Sequence, residues 1–292
     1  MTEIKICPVC QGSEFQSELR CIDYTVSRET FQIAKCSRCS FLITTPRPDD
    51  QNIGSYYLSE DYISHTDKPA SLIDRIYLLA RGFTLQWKLS LIGTQNAQGK
   101  ILDYGCGTGN FLEKCRENNW SIFGVEPSSE AREIHGEGIK TKIFKSIDDV
   151  QENNFDVITL WHVLEHVPDL NATVKKLKSK LSDGGTIFIA VPNPLSWDAK
   201  RYKEHWAAYD VPRHLWHFTQ DTMKDLLQNN GLSIIKTIPM KLDAFYICLL
   251  SEKYKTGKKG ILNMIKAALS GWRSNMSART TTQYSSIIYI VK

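Results

Sequence analysis

The sequence predicts an α/β protein, a mostly parallel sheet with helices on both faces, preceded by a small cysteine-tied ribbon. Three observations carry this. From Lys100 onward, short apolar runs alternate with helical stretches, the pattern of parallel strands joined by crossover helices. The first of those runs leads into the glycine-rich turn Gly105-Cys106-Gly107-Thr108-Gly109. Four of the eight cysteines form two Cys-x-x-Cys pairs within the first 45 residues.

The ribbon comes first in the chain. Cys7-Pro8-Val9-Cys10 and Cys36-Ser37-Arg38-Cys39 are two knuckles 25 residues apart, with β-like runs at Glu14–Cys21 and Thr30–Lys35 between them. Four thiolates on two tight turns suit tetrahedral zinc. Iron is the alternative metal, and a redox-active dithiol pair is the alternative chemistry. Gly12 and Ser40 follow the knuckles, and Cys21 stands apart as an ordinary thiol.

A connector over residues 46–98 begins with the turn-prone Thr45-Pro46-Arg47-Pro48-Asp49-Asp50 and an aromatic group, Tyr56, Tyr57 and Tyr62. A helix over Ser71–Ile92 follows, with Leu72, Ile76, Leu79, Phe83 and Trp87 at helical spacing. The third section, 99–292, holds strands at Lys100–Tyr104, Ile122–Glu126, Thr141–Phe144, Phe155–Trp161 and Gly185–Val191. Helices are expected at Asn110–Asn118, Ser129–Glu137, Ile147–Glu152, Leu170–Leu181 and Met223–Asn230. Two β-branched runs, Leu232–Ile238 and Ser285–Val291, close the chain. Between them lies an insertion, Ser251–Gln283, rich in Lys, Gly, Ser and Thr, with an amphipathic centre at Ile261–Leu269.

Composition narrows the classes. Apolar residues make up 42% and charged residues 23% of 292, ordinary for a globular protein. A net charge of +4 neither demands nor excludes a polyanionic partner. No apolar run approaches the roughly 18–20 residues of a membrane span, and the N-terminus lacks a signal-peptide stretch. A cytoplasmic location is expected, where the cysteines are not expected to form a disulfide framework.

The run Ile101–Phe111 is an apolar strand, a glycine turn and a helix start. Small residues let the backbone approach a ligand, and the helix N-terminus offers unpaired N–H groups. By itself this pattern says only that a nucleotide-like ligand binds. The order, however, is Asp103 followed by Gly-x-Gly-x-Gly, and the next strand ends in Glu126, where an acid takes ribose hydroxyls in open α/β folds. The fourth strand ends in Leu160-Trp161-His162-Val163-Leu164-Glu165-His166.

With these residues the chain resembles the class I S-adenosylmethionine (SAM)-dependent methyltransferases, in the Leu-Glu-His branch that includes ubiquinone-biosynthesis type and glycan-cluster enzymes. The resemblance covers about residues 97–240. It implies a Rossmann-like seven-stranded sheet with an antiparallel final hairpin. By the same resemblance Asp103 and Gly105 lie near the methionine part of SAM, Gly107 sits beneath it and Glu126 takes the ribose hydroxyls. Ser146–Ile147 borders the adenine, and Trp161 and His162 line the pocket. Lys145-Ser146-Ile147 departs from the Gly-Asp form usual there.

Methyl transfer to a hydroxyl, amine or carbon acid needs a base. Asn193–Phe218 is rich in His, aromatic and charged residues and reads as a substrate-facing lid. His214 is the first candidate base, His217 the second, and Asp210 an orienting partner; the alternative is that these histidines pack the loop. His162-Val163-Leu164-Glu165-His166 also matches a zinc-protease pattern, which requires both histidines on one helical face. A metal-assisted transfer through His162, Glu165 and His166 is a further alternative. Tyr56–His65 reads either as a segment closing over SAM, with Tyr62 and His65 inward, or as a packing linker.

The leading functional expectation is methyl transfer to a small molecule, a sugar, glycan or related biosynthetic intermediate, because aromatic side chains stack on sugar faces. The second is RNA methylation with the ribbon as a dock, favoured by the basic insertion (Lys253, Lys255, Lys258, Lys259, Lys266, Arg273, Arg279). The general charge balance and the lack of an Asn/Asp-Pro-Pro-Tyr/Phe motif near strand four weigh against it. A non-enzymatic ribbon module with a decayed SAM fold is the third, opposed by the intact Asp103–Gly109 loop and Glu126.

Overall fold

The computed structural model describes residues 1–49, 51–57, 72–93, 99–134, 136–258 and 260–292; the side chains of 72–81 and 137 are left aside. The chain forms two compact units. One comprises Met1–Ile63, Leu164–Asn171 and Ala190–Tyr289, the other Ser64–Val163, Ala172–Ile189 and Ile290–Lys292. Tyr62 and His65, expected to face a ligand, lie outside the described residues, as do Ser71 and the side chains of Leu72, Ile76 and Leu79.

In the first unit, β1 (Phe15–Ile22) and β2 (Thr30–Cys36) form an antiparallel hairpin. The predicted runs match them to within one residue. Two strands join them that no periodicity could reveal, because they hold three and two residues. β3 (Leu42–Thr44) pairs with β2, and β9 (Trp216–His217) pairs with β3, placing Leu42 opposite His217 and Ile43 opposite Trp216. The segment read as a lid thus supplies a strand to the ribbon's own sheet.

Behind this sheet lies one apolar core. Phe31 and Ile33 of β2 pack in a cluster with Tyr202 of α6 (Trp197–Tyr202), with Trp206 and Tyr209, and with Ile247 and Cys248 of α8 (Asp243–Thr256). Buried Asp198 accepts hydrogen bonds from the Trp206 indole and the Ser274 and Ser285 hydroxyls, which satisfies a carboxylate that burial would otherwise penalise. The insertion is helical. α8 contains the apolar run Ala244–Leu250, and α9 spans Ile261–Thr281. Helix α7 (Gln220–Asn229) starts at Thr219, whose side chain caps it reciprocally with Thr222.

The second unit contains α1 (Leu72–Gly93), β4 (Lys100–Tyr104), α2 (Asn110–Glu117), β5 (Ser121–Val125), β6 (Ile143–Phe144) and β7 (Phe155–Trp161). β4 pairs in parallel with β5 and β7, and β5 in parallel with β6. With β8 (Leu181–Pro192), β10 (Ile234–Pro239) and β11 (Ser286–Val291) they make a seven-stranded sheet, ordered β10-β11-β8-β7-β4-β5-β6. β4 and β7 coincide with the predicted strands. Both read as continuous apolar runs because an interior parallel strand is covered on both faces; Ile101, Leu102, Val157, Ile158 and Leu160 are all fully buried.

Some local expectations are corrected. Ile147–Glu152 is a single 3-10 turn, Ile147–Asp149, capped by Ser146 and Asp149. Ser129–Glu137 splits into α3 (Ser129–Glu133) and α4 (Glu137–Lys140), while the run Leu170–Leu181 forms α5 (Leu170–Lys180). Among the described side chains of α1, Leu89 and Ile92 are buried, while Phe83 is 68% exposed.

Candidate functional site

The glycine turn is built by three left-handed residues, Gly105, Gly107 and Gly109, at φ 75°, 53° and 74°. Gly105 has no alternative: a Cβ there would stand 2.5 Å from Val163 Cγ2. Gly107 differs, because a Cβ there would meet no heavy atom within 4 Å. Its left-handed backbone faces open space, the setting expected where a ligand passes over the main chain.

Glu126, just past β5, braces this turn. One carboxylate oxygen accepts the Gly107 N–H at 2.8 Å and the other accepts the Ser128 N–H at 2.9 Å. An ionised carboxylate has about four lone-pair sites, so it keeps capacity for ribose hydroxyls. Asp103 is 2% exposed and accepts the Thr159 hydroxyl at 2.6 Å. Burial pushes its carboxyl up from 3.8 to about 7, although Thr159 and Lys88 pull the other way. A carboxyl so poised would ionise readily beside a sulfonium and an ammonium. These residues fit SAM: a backbone cradle, an acid for the ribose and an acid for the cationic end.

At the end of β7, Trp161 meets the Phe111 ring edge-on at 5.5 Å, and Lys88 Nζ lies 4.4 Å over its face. His162 is a non-glycine residue at φ 60°. Glu165 and His166 then fall in a 3-10 turn, Leu164–His166. His162 and His166 therefore do not share a face of an α-helix, and the zinc-protease pattern loses its geometry.

A second constellation lies within the first unit. Donor atoms of Glu165, His166 and His214 all lie within 4.8 Å of one another. The grouping joins two residues of the Leu-Glu-His motif to the leading base candidate; His162 is not part of it. Backbone bonds hold it: the Leu215 N–H donates to the Glu165 carbonyl at 2.8 Å, and the Trp216 indole donates to the Val167 carbonyl at 2.6 Å. His214 Nδ1 is 2.8 Å from the Ala208 carbonyl, which can only accept. Nδ1 therefore carries a proton, and Nε2 is the ring atom left to exchange one. Nε2 is 3.9 Å from Asp210 and 4.0 Å from Glu165. His166 is pushed down to about 4, by burial first and by His214 second, so it is neutral near pH 7.

Asp210 is held from the other side. Burial pushes its carboxyl up, but Arg213 outweighs this and keeps it below the usual range. The Arg213 guanidinium, 1% exposed, bonds Asp210 through two nitrogens at 3.0 and 2.7 Å and reaches Asp23 of the β1–β2 turn at 2.9 Å. Asp23 and Arg213 escaped sequence reasoning. They are 190 residues apart in the chain, and nothing in either local pattern announces the pair.

His217 lies elsewhere. Its Nε2 is 3.0 Å from the Thr44 hydroxyl, which itself donates to the His214 carbonyl at 2.7 Å. His217 therefore donates to Thr44 across β3 and β9, and burial pushes it down to about 3. The expectation of an exposed aromatic lid is corrected. Trp206, Tyr209, Trp216 and Phe218 are 0–5% exposed and form core, so they offer no faces for sugar stacking.

Cys7, Cys10, Cys36 and Cys39 converge as the spacing predicts. Their sulfurs lie 3.6 Å apart for Cys7 and Cys39 and 3.5 Å apart for Cys10 and Cys36. Sulfurs bound tetrahedrally at the usual zinc–sulfur distance would be about 3.8 Å apart. The knuckle turns place Gln11 and Ser40 at φ 59° and 61°. Gly12 keeps the cluster open, since a Cβ there would stand 3.3 Å from the Cys10 sulfur. Burial pushes the Cys7 thiol up to about 11, a state that a divalent cation among the four sulfurs would reverse. The donor set fits zinc.

The profile of a family described as a methyltransferase domain matches residues 74–237, more than half of the chain. The ubiquinone biosynthesis O-methyltransferase of Idiomarina loihiensis is 35% identical over 157 residues, covering 46% of this chain and 64% of that protein. The human mitochondrial enzyme of the same name is 29% identical over 171 residues, covering 50% of this chain and 44% of that protein. The match thus spans less than two thirds of these relatives' own length. Among solved structures, the magnesium protoporphyrin IX methyltransferase of Synechocystis PCC 6803 with bound SAH covers 83% of this chain and 99% of its own, at TM-score 0.52 and 13% identity. That likeness concerns the fold alone.

Proposed function

Because the chain belongs to the methyltransferase-domain family and has the class I SAM-dependent fold, we propose that it methylates a hydroxyl oxygen of a small-molecule biosynthetic intermediate. The names of the curated relatives, O-methyltransferases, support oxygen as the acceptor atom. RNA methylation has no such support. SAM supplies a methyl group already activated on a sulfonium. Asp103, Gly105, Gly107 and Glu126 are the residues assigned to hold it, with Trp161 and His162 bordering.

The observation that carries the catalytic assignment is the fixed tautomer of His214. With Nδ1–H committed to the Ala208 carbonyl, Nε2 is the only ring atom that can take a proton from an acceptor hydroxyl. Asp210 and Glu165, about 4 Å away, stabilise the imidazolium that results, and Arg213 keeps Asp210 ionised and in place. Neutral His166 adds no competing charge. The zinc assigned to the four cysteines is structural: it ties the β1–β2 hairpin and supplies no step of the reaction.

The test is methyl transfer from labelled SAM to a panel of sugar nucleotides, free glycans and phenols. His214→Ala is expected to lower turnover on the accepted substrate by about 10²–10⁴-fold, the usual contribution of a positioned base, with SAM affinity unchanged. A variant with full turnover, or one that loses SAM in calorimetry, removes His214 from the role.

A further inference from the structure

The helical hairpin α8–α9 is built the wrong way round for a helix of a globular core. A surface helix normally turns its large apolar residues inward. In α9 the inward face carries small ones: Ala267, Ser270, Gly271, Ser274 and Ala278 are buried. A Cβ on Gly271 would stand 2.9 Å from Phe245 Cα, so α8 and α9 touch backbone to backbone. The large side chains face solvent. Leu262, Ile265, Leu269 and Trp272 are 71%, 52%, 58% and 56% exposed, and Met276 is 38% exposed. They follow a 3-4-3-4 spacing and form one continuous seam over four turns. Scattered exposed apolar residues need no explanation, but a contiguous line that includes Trp272 does.

Charge identifies the occupant. α9 contains no Asp or Glu. Exposed Lys266 and Arg273 each follow a seam residue by one position, and Arg273 lies 5.6 Å from the Trp197 ring. Arg279 stands in the last turn of α9, and Lys253, Lys255 and Lys258 cluster at the end of α8. A second copy laid on the seam would bring cations against cations with no acid in α9 to answer them. An anionic lipid surface offers both what the seam lacks, an apolar layer, and what its flank attracts, negative headgroups. We propose that α9 seats on an anionic membrane surface, with the Leu262–Met276 seam at the acyl boundary and Lys266 and Arg273 on the headgroups. Among the described residues no helix is long and apolar enough to cross a membrane, so the contact lies along the surface.

The test is flotation of the full chain with vesicles of equal parts phosphatidylglycerol and phosphatidylcholine, beside vesicles of phosphatidylcholine alone. The chain is expected to float with the anionic vesicles only, less so as salt rises. Both Ile265→Ser/Trp272→Ser and Lys266→Glu/Arg273→Glu are expected to lower the bound fraction about tenfold or more while melting like the parent. No flotation of the parent overturns the proposal, as does flotation of both double variants at the parent's level. So does a dimer in light scattering that Trp272→Ser dissociates, which would make a second copy the occupant.

Discussion

Replacing Asp103 with Asn separates what this residue does for folding from what it does for binding. Burial lifts the Asp103 carboxyl from 3.8 to about 7 in the folded protein. Between those values the folded chain retains a proton that the unfolded chain releases. The contribution of this proton to stability is therefore full below about pH 4, falls as pH rises through the window, and is gone above the folded pKa. A window of about three pH units, at about 1.4 kcal/mol each, makes ionised Asp103 cost ~4 kcal/mol at pH 8. Asn cannot ionise. Its amide oxygen can still accept the Thr159 hydroxyl, but its NH₂ brings a donor that must be satisfied, at a cost of about 1–3 kcal/mol. Asp103→Asn should thus be the weaker protein near pH 4 and should overtake the parent towards pH 8. Urea unfolding of both proteins without SAM, across pH 4–9, gives a difference in which the other titrating groups cancel. That difference should move by about 4 kcal/mol in favour of Asn. A difference flat in pH, or sloping the other way, refutes the reasoning. Weaker SAM binding in the same variant would mark Asp103 as a residue kept for function against stability.

Three further outcomes are expected. Glu126→Ala should weaken SAM binding by about 10–100-fold in calorimetry, the worth of hydrogen bonds to a charged group; unchanged affinity removes Glu126 from the ribose role. The purified chain should hold one zinc, lost on Cys36→Ser together with protease resistance of the β1–β2 hairpin, as metal analysis and limited proteolysis would report; a metal-free but protease-resistant parent contradicts the zinc assignment. Arg213→Met should leave buried Asp23 and half-buried Asp210 without their cation and cost about 3–5 kcal/mol in urea unfolding; a loss below about 1 kcal/mol would mean the network is not the support described.

The parts of this protein legible in its sequence are those whose cause is local. β4 and β7 announce themselves as apolar runs because a strand covered on both faces has no polar side to interrupt it. The glycine turn and both cysteine knuckles are readable because special backbone geometry restricts residue type at fixed spacing. What was not legible depends on partners far away in sequence. β3 and β9 are too short to show alternation, and each exists because the other is there. The aromatics of Trp206–Phe218 have the composition of a binding lid but serve as the ribbon's core; composition does not distinguish a face turned to ligand from one turned to a sheet. The Asp23–Arg213–Asp210 network joins distant positions that carry no mutual signal. In α9 the periodicity is plain but the direction is not, because amphipathic spacing leaves open which face turns inward.

The pairing of β3 with β9 bears on how the cysteine ribbon could be inherited or engineered. Drawn on the sequence, the ribbon ends near residue 45 and invites removal or transplantation. In the folded chain that cut would run through a four-stranded sheet, taking away the neighbour of Trp216 and His217 and, with Thr44, the hydroxyl bonded to the His214 carbonyl. The cysteine cluster and the histidine segment share one hydrogen-bonded frame. A graft would have to carry both, and a lineage that lost the cysteines would be under pressure to rebuild the backbone register of His214 by other means.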